Sequence, residues 1–487
     1  MKRNKFSLSH YKLLTCKMGQ LVPVTWFEVL PGDTMQQATS ALIRCAPLVT
    51  PVMHPVSVRF HHWFVPNRII WTNFQDYITG GADGLNASVH PVVSISSAPG
   101  ASTLADHLGV AGVAGGFAPY TVNVLPFRAY DLIWNEYYRD QDLQTLLTIS
   151  LADGVDVTTS TVLQNVDWEK DYLTSARPFE NKGPAVTLPS GAVVFSEGGT
   201  TPGTRTLQRA AAGANTGVNV VQAGTLGDPI TALASGVDAN LVRHAFAQLR
   251  FQEARARYGS RYVEYLRYLG VRSSDARLQR PEYLGGGKQT IQFSEVLQTG
   301  VTTSGTAGGA GGIGQYGGHG IAAMRSNRYR RFFEEHGIVM TMMSVRPRTI
   351  YSNRVDRRWL RGQSVGGLTG TKEDYWQKEL EQIGQQQICA AEYDLTSGFA
   401  AQGFQDRYDE YRHMQSSVGG LFRTTLDTWH LSRTFAAPPA LNATFVSCVP
   451  STRVFADLVN DNLYVMCNHS IQARRLVGRG GGVGRVF

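Results

Sequence analysis

Apolar and polar residues alternate with a period of two in four stretches of the chain, and each stretch predicts a β-strand. From Val56 to Val65, the residues Val56, Val58, Phe60, His62 and Phe64 fall on one side, with Ser57, Arg59, His61, Trp63 and Val65 on the other, up to Pro66-Asn67. A second strand is expected from Gly337 to Val345, stopped by Pro347, and a third from Leu441 to Val449, where Leu441, Ala443 and Phe445 share a face. Between Leu463 and Ala473 the alternation is strictest, with Leu463, Val465, Cys467, His469, Ile471 and Ala473 on one side. Strands this far apart must pair non-locally, which favours a sandwich over a string of small domains. A helical period shows between Asn240 and about Arg257, where Leu241, Ala245 and Leu249, with Val242 and Phe246, form an apolar stripe. Ser260 can cap a shorter helix through Leu269, with Val263 and Leu266 inward and Gly270 ending it.

Two stretches lack either period. Pro184 to Val237 holds a single aromatic, Phe195, and four charges, Glu197, Arg205, Arg209 and Asp228, among Gly, Ala, Thr and Val. It has little to pack into a core. Gly300 to Gly320 contains ten glycines in twenty-one residues, which predicts an extended segment laid against another surface. The remaining composition points the same way. With 51 glycines, 20 prolines and 10% aromatics the chain has the turns and rings of a mainly β protein, and 43% hydrophobic residues suffice for a sizeable core. Charged residues at 17% fall below the roughly 25% of ordinary soluble domains, so part of the surface is expected to be covered by partners.

The net charge of +8 makes an acidic partner plausible, nucleic acid being the commonest. Cys16, Cys45, Cys389, Cys448 and Cys467 are odd in number, far apart and without a C-x-x-C pair, so neither a disulfide framework nor a zinc site is expected. Lys2, Arg3 and Lys5 open the sequence, but Ser9, His10 and Lys12 interrupt any signal-peptide core, and no run has membrane-spanning length. A soluble, cytoplasmically made protein with no membrane insertion is the expectation.

Candidate chemistry adds little. Gly312-Ile-Gly314-Gln-Tyr-Gly317 matches the dinucleotide-loop spacing, yet a glycine run produces that match by itself and no strand is predicted before it. Gly287-Lys288 lacks both the first glycine and the magnesium-binding hydroxyl of a phosphate loop. Glu334, Glu335 and His336 could form a metal or acid–base cluster, but such a group at a strand entry is more often a hydrogen-bonded corner. His61 and His62 point to opposite faces and cannot grip one metal. Sequons at Asn86, Asn442 and Asn468 mean nothing without secretion. No nucleophile elbow or nucleophilic cysteine setting is present. Hence no catalytic, cofactor-binding or metal residue is assigned. Arg325, Arg328, Arg330 and Arg331 are interleaved with Tyr329, Phe332 and Phe333, which suits single-stranded nucleic acid through phosphate pairing and stacking, and equally suits an inter-subunit contact. Arg474, Arg475, Arg479 and Arg485 among glycines read as a cationic arm for phosphates or for a neighbouring subunit, or simply as solvated chain.

The words VPNRIIW (Val65 to Trp71), LPFRAYDLIWNEYYRD (Leu125 to Asp140), YGSRYVEYL (Tyr258 to Leu266), SDARLQRPEYLGGG (Ser274 to Gly287), SEVLQT (Ser294 to Thr299) and EEHG (Glu334 to Gly337) resemble the major capsid protein of microviruses, especially the gokushovirus group. They run collinearly over most of the chain. The resemblance implies one capsid domain over 1–487, an eight-stranded antiparallel jelly roll with long loop insertions and a few short helices. It implies sixty copies in a T=1 shell around circular single-stranded DNA of a small bacteriophage, assembled in the bacterial cytoplasm. By the same resemblance Pro184 to Val237 is the insertion forming a threefold surface protrusion, with a role in host attachment, and Gly300 to Gly320 is a connector. The implied partners are further copies of the chain, single-stranded DNA bound without sequence preference, a small basic packaging protein, an internal scaffolding protein, a DNA pilot protein and a bacterial surface receptor.

Charge arithmetic limits the DNA role. Sixty copies at +8 supply about +480, whereas a single strand merely encoding 487 residues carries about 1460 phosphates. Other cations must contribute. Two rival readings are a β-sandwich enzyme, which scattered histidines do not favour, and a secreted carbohydrate-binding lectin or adhesin, which the missing signal peptide and disulfide spacing speak against.

Overall fold

The computed structural model describes residues 3–82, 85–95, 100–110, 120–184, 186, 193–196, 231–234, 239–258, 264, 267, 279–297, 316–361, 364–365, 368–369, 385–393, 397–398 and 400–477. It divides into two compact units, Met1–Glu180 with Tyr262–Phe487, and Asn181–Arg261. In the second unit, a helix covers Ala239–Tyr258 and a two-stranded ribbon pairs 193–196 with 231–234. The helix is the expected one, but its buried residues are Ala245, Gln252 and Ala256, with Val242 and Leu249 half-buried, while Leu241 and Phe246 are exposed. Apart from Pro184 and Val186, the rest of Pro184 to Val237, nearly all of the Ser260 helix, Gly300 to 315, Arg479 and Arg485 lie outside the described residues.

The larger unit is mainly β. Ten strands form one antiparallel sheet: β1 (Asn4–Ser7), β2 (His10–Cys16), β3 (Leu21–Val29), β4 (Thr34–Cys45), β5 (Val56–Pro66), β6 (Glu282–Leu297), β7 (Tyr316–Arg325), β8 (Tyr329–Phe332), β9 (Gly337–Pro347) and β10 (Leu463–Arg475). Their order is β1-β10-β4-β7-β6-β5-β9-β3, with β2 also on β10 and β8 on β4. The sheet curls until its margins approach: His10 Nε2 on β2 lies 3.1 Å from Thr25 Oγ1 on β3, and Lys12 Nζ donates to Pro23 O at 3.3 Å. Residues of both halves fill the interior, including Val22, Val24, Ile43, Val56, Val58, Phe60, Met343, Val345, Val465 and Cys467. The long-range pairing expected from the pattern is present, since β10 pairs with β1, β2 and β4 at the opposite end of the chain.

Strand β6 has a bulge at the GGG word, with a register shift between Tyr283 and Gly285 and φ of +139° at Gly285. A Cβ on Gly286 would sit 2.1 Å from Phe60 O, so only glycine fits the approach of β5. Gly287 and Lys288 pair with Phe60 and Arg59 as ordinary strand residues.

One expected strand is absent. Leu441 to Val449 instead contains a short helix, Ala443–Val446, whose first turn is capped by Asn442 Oδ1 accepting from Phe445 N at 3.1 Å. Local side-chain capping prevails there over a weak alternation. A thirteen-residue helix, α1 (Leu125–Tyr137), packs Leu125, Phe127, Ala129, Tyr130, Ile133 and Trp134 on the outer side of β5 and β9, against Trp63, Val65, Ile338, Met340 and Met342. This second layer explains why Trp63 and Val65 are buried although they lie opposite the interior face.

Candidate functional site

Four of the six words, VPNRIIW, LPFRAYDLIWNEYYRD, SDARLQRPEYLGGG through Pro281, and EEHG, are linked to one another in space. Arg128, fully buried, donates through Nε to Asp156 Oδ2 at 2.9 Å and through Nη1 to Ile70 O at 3.0 Å, joining the LPFRAYD and VPNRIIW words. Arg68 grips Glu335 with Nε at 2.7 Å and Nη2 at 3.3 Å, and Asn67 N donates to His336 O at 3.1 Å. Tyr137 OH donates to Pro281 O at 2.5 Å, bringing in the PEYLGGG word. The Glu334–His336 cluster is thus a hydrogen-bonded corner, and no group of His, Cys, Asp or Glu among the described residues is arranged to hold a metal ion. These words are the frame of the fold.

His61 and His62 point to opposite faces, as alternation requires. His61 Nδ1 meets Tyr138 OH at 2.5 Å on the helix side. His62 enters a buried polar network inside the curl: Nδ1 lies 2.8 Å from Thr341 Oγ1 and Nε2 lies 3.0 Å from Ser326 Oγ. Gln37 Nε2 donates to the same Thr341 oxygen at 2.9 Å, Tyr329 OH donates to Gln37 Oε1 at 2.7 Å, and Thr39 Oγ1 lies 3.0 Å from His469 Nδ1. The network spans β4, β5, β8, β9 and β10, tying both halves of the sheet. Burial holds His62 at about 4 and His469 at about 3, so both are neutral near pH 7. All five cysteines are free and buried, with burial pushing the thiols upward, Cys389 to about 11 and Cys45 to about 12.

The outer face of the sheet carries the exposed chemistry. Residues directly opposite one another in a ladder share a face, and the register aligns Lys5, Arg474, Thr34 and Phe332 in one row across β1, β10, β4 and β8. The next row is Ser7, Gln472, Gln36 and Arg330, and farther along Asn468, Ser40 and Arg325 align. Arg3 completes the cluster, its guanidinium 4.9 Å from the Phe332 ring centroid and its Nη1 3.3 Å from Thr34 Oγ1. Three expected arginines, Arg325, Arg330 and Arg474, are therefore brought onto one exposed face, floored by hydroxyl and amide groups. Lys5 directly opposite Arg474 is a like-charge pair that an anion would relieve.

The other expected residues separate from this group. Arg328 lies exposed in the turn between β7 and β8. Arg331 pairs with Glu282 at 3.0 Å. Arg475 is ion-paired with the buried Asp33 at 2.9 Å and donates to Glu28 O at 2.5 Å, closing the last strand. Tyr329 and Phe333 turn inward into the core, leaving Phe332 as the exposed ring of that segment, because a strand alternates and a sequence cluster does not stay on one face. The sequence does not point to Arg3 and Lys5 as site residues, since Lys5 joins the site through pairing of β1 with β10 and Arg3, just before β1, through its contacts with Phe332 and Thr34. Toward the other end of the same face the rows turn apolar: Leu13, Met466, Leu42 and Ala323 align across β2, β10, β4 and β7, with Leu13 78% and Met466 41% exposed.

Residues 1–475 match a family described as Capsid protein (F protein). Capsid protein VP1 of Bdellovibrio phage phiMH2K is 31% identical over 94% of this chain and 92% of that protein. Capsid protein VP1 of Chlamydia phage 1 is 30% identical over 94% and 91%, and that of Spiroplasma virus 4 is 27% identical over 91% and 87%. No helix of the described residues is long and apolar enough to cross a membrane. The chain belongs to this family of phage capsid proteins, structural components of a virion rather than enzymes.

Proposed function

We propose that this capsid subunit is an eight-stranded jelly roll, sixty copies of which form a T=1 shell around circular single-stranded DNA, with the cationic end of the outer sheet face contacting phosphates. The observation that carries the DNA reading is the convergence of Arg3, Lys5, Arg325, Arg330 and Arg474 from four strand regions onto one face beside the exposed Phe332 ring. Guanidinium and ammonium groups on a polar floor suit a backbone of any sequence, and one ring offers a stacking platform. The jelly-roll reading is supported by the eight strands of the continuous path and by the meeting of its margins. One capsid domain spans 1–487 in this reading, 184–237 is a threefold protrusion contributing to attachment to a bacterial surface receptor, and 300–320 is a connector. A packaging protein of small size and basic charge supplies the missing counter-charge, and an internal scaffolding protein and a DNA pilot protein take part in assembly.

Electron microscopy of the expressed protein, with scaffold supplied, tests the shell: uniform isometric particles are expected, and a strictly monomeric protein under those conditions overturns it. Anisotropy titration with random single-stranded DNA over a salt series tests the face. Binding is expected to weaken steeply with salt, and a salt-insensitive association overturns the phosphate reading.

A further inference from the structure

On the helix side of the sheet, remote in register from the cationic rows, a cavity of about 270 Å³ is bounded by β5, β9, the end of α1 and residues 166–170. Four cationic side chains line it, Arg59, Arg139, Lys170 and Arg346, against the two carboxylates Asp140 and Asp167. Arg59 and Arg346 stand diagonally on neighbouring strands of one face, Arg59 opposite Ser344 and Arg346 opposite Ser57. Lys170 is ion-paired with Asp140, and Arg59 Nη2 reaches Glu169 Oε1 at 3.3 Å. Arg346 Nη1 donates to the backbone carbonyl of Asp167 at 2.7 Å, a neutral acceptor rather than a carboxylate. The Nε–H groups of both Arg59 and Arg346 are buried with no acceptor.

A buried guanidinium donor without an acceptor carries a desolvation cost that a bound anion would offset, and the Nε–H groups of Arg59 and Arg346 flank the same cavity. Their field is felt by the neighbours: His61 is lowered to about 4, first by burial and then by Arg59 and Arg346, and Arg346 is itself lowered by burial and by Arg59. Asp167 is raised to about 7 by burial, which reduces the opposing negative charge on the wall. The rings of Tyr137, Tyr138 and Trp168 form the apolar part of the lining.

We propose that this cavity is an oxyanion site that takes a phosphate group between the guanidinium groups of Arg59 and Arg346. Two guanidinium forks match the tetrahedral oxygens of phosphate, and the ring walls suit a base or sugar carried on it. Inorganic phosphate and a nucleoside monophosphate present the same oxygens, so both are candidate occupants. The site is separate from the cationic rows and does not depend on them.

Isothermal titration of the full chain with inorganic phosphate and with dAMP, at constant ionic strength against chloride, tests it. Saturable binding of one phosphate per chain is expected, weakened at least tenfold in Arg346→Gln and unchanged in Leu13→Ser. Tighter binding of dAMP assigns the site to a nucleotide; equal or tighter binding of inorganic phosphate assigns it to the free ion. Absence of saturable binding above chloride, or equal affinity in wild type and Arg346→Gln, overturns the proposal. Should that variant fail to fold, phenylglyoxal labelling of the native chain mapped by mass spectrometry probes the same two side chains. Phosphate is expected to protect Arg59 and Arg346, and labelling equal to that in chloride overturns the site.

Discussion

Strands β9 and β10 lie in opposite halves of one curled sheet and differ in what covers them. Along Gly337–Pro347 almost every residue is buried, because the interior takes one face and α1 the other. Along Leu463–Arg475 burial alternates residue by residue, with Tyr464, Met466 and Arg474 turned outward. A strand buried twice reads as a continuous apolar run, and one buried once reads as an alternation. The difference separates two duties. The covered half, with its helix and its ion pairs, holds the subunit together, while the bare half presents chemistry to whatever lies outside it.

Breaking the covered half should have the largest effect. Arg128→Ala leaves Asp156 as an uncompensated buried charge and is expected to cost about 3–5 kcal/mol, seen in urea unfolding of the free subunit. Ile133→Ala, in the same layer, is expected to cost about 2–5 kcal/mol through reduced burial and a cavity. If either loss is under about 1 kcal/mol, the helix layer does not carry the stability assigned to it.

The buried network inside the curl, common to both halves, predicts a pH dependence. His62 is held at about 4 and His469 at about 3 in the folded chain, against 6.5 when unperturbed. Between pH 6.5 and 4 the unfolded chain binds protons that the folded chain does not, so their contribution is full above pH 6.5 and is lost as pH falls. The unfolding free energy from urea titration is expected to drop between pH 7 and 4.5 by about 2 kcal/mol for each of the two histidines, and His62→Gln should flatten part of that slope. An unchanged slope in the variant would remove His62 from the account.

The bare half should respond least in stability. Leu13→Ser, on the exposed apolar row, is expected to shift subunit unfolding by no more than about 0.5 kcal/mol. Arg330→Ala with Arg474→Ala should also leave unfolding unchanged while lowering the salt slope of single-stranded DNA binding by about 0.7 for each phosphate that is no longer neutralised. A full slope in the double variant would place the DNA elsewhere.

Much of this contrast was legible in the residues. The alternation over Leu463 to Ala473 marked a strand buried on one side, and the opposite faces of His61 and His62 followed from the period alone. The collinear words marked the family. Their physical meaning was not legible, because the pairing of Arg128 with Asp156 and of Arg68 with Glu335 depends on how distant segments fold together. The strands β1 to β4 went unread for a similar reason: Thr34 to Cys45 interleaves Gln37 and Thr39 with apolar residues on its inner face, and only the polar network makes that burial acceptable. Leu441 to Val449 forms a short helix in place of the expected strand because a cap at Asn442 outweighs three apolar residues at even spacing. The cationic site was half visible as an arginine cluster, and its other half came from contacts of Arg3 with Phe332 and Thr34 and from strand pairing at Lys5.

That pairing sets a clock on synthesis. Asn4 to Ser7 hydrogen-bonds along Gln472 to Arg475, and β4 pairs with the same last strand over twelve positions. A growing chain at about 5–20 residues per second needs roughly 25–100 s to reach residue 475, and throughout that time the early strands lack their neighbour. The sheet can close only after translation has passed that point. A prematurely terminated polypeptide would lack the strand joining β1, β2 and β4, so a ribosome that stalls early cannot release a subunit with this surface.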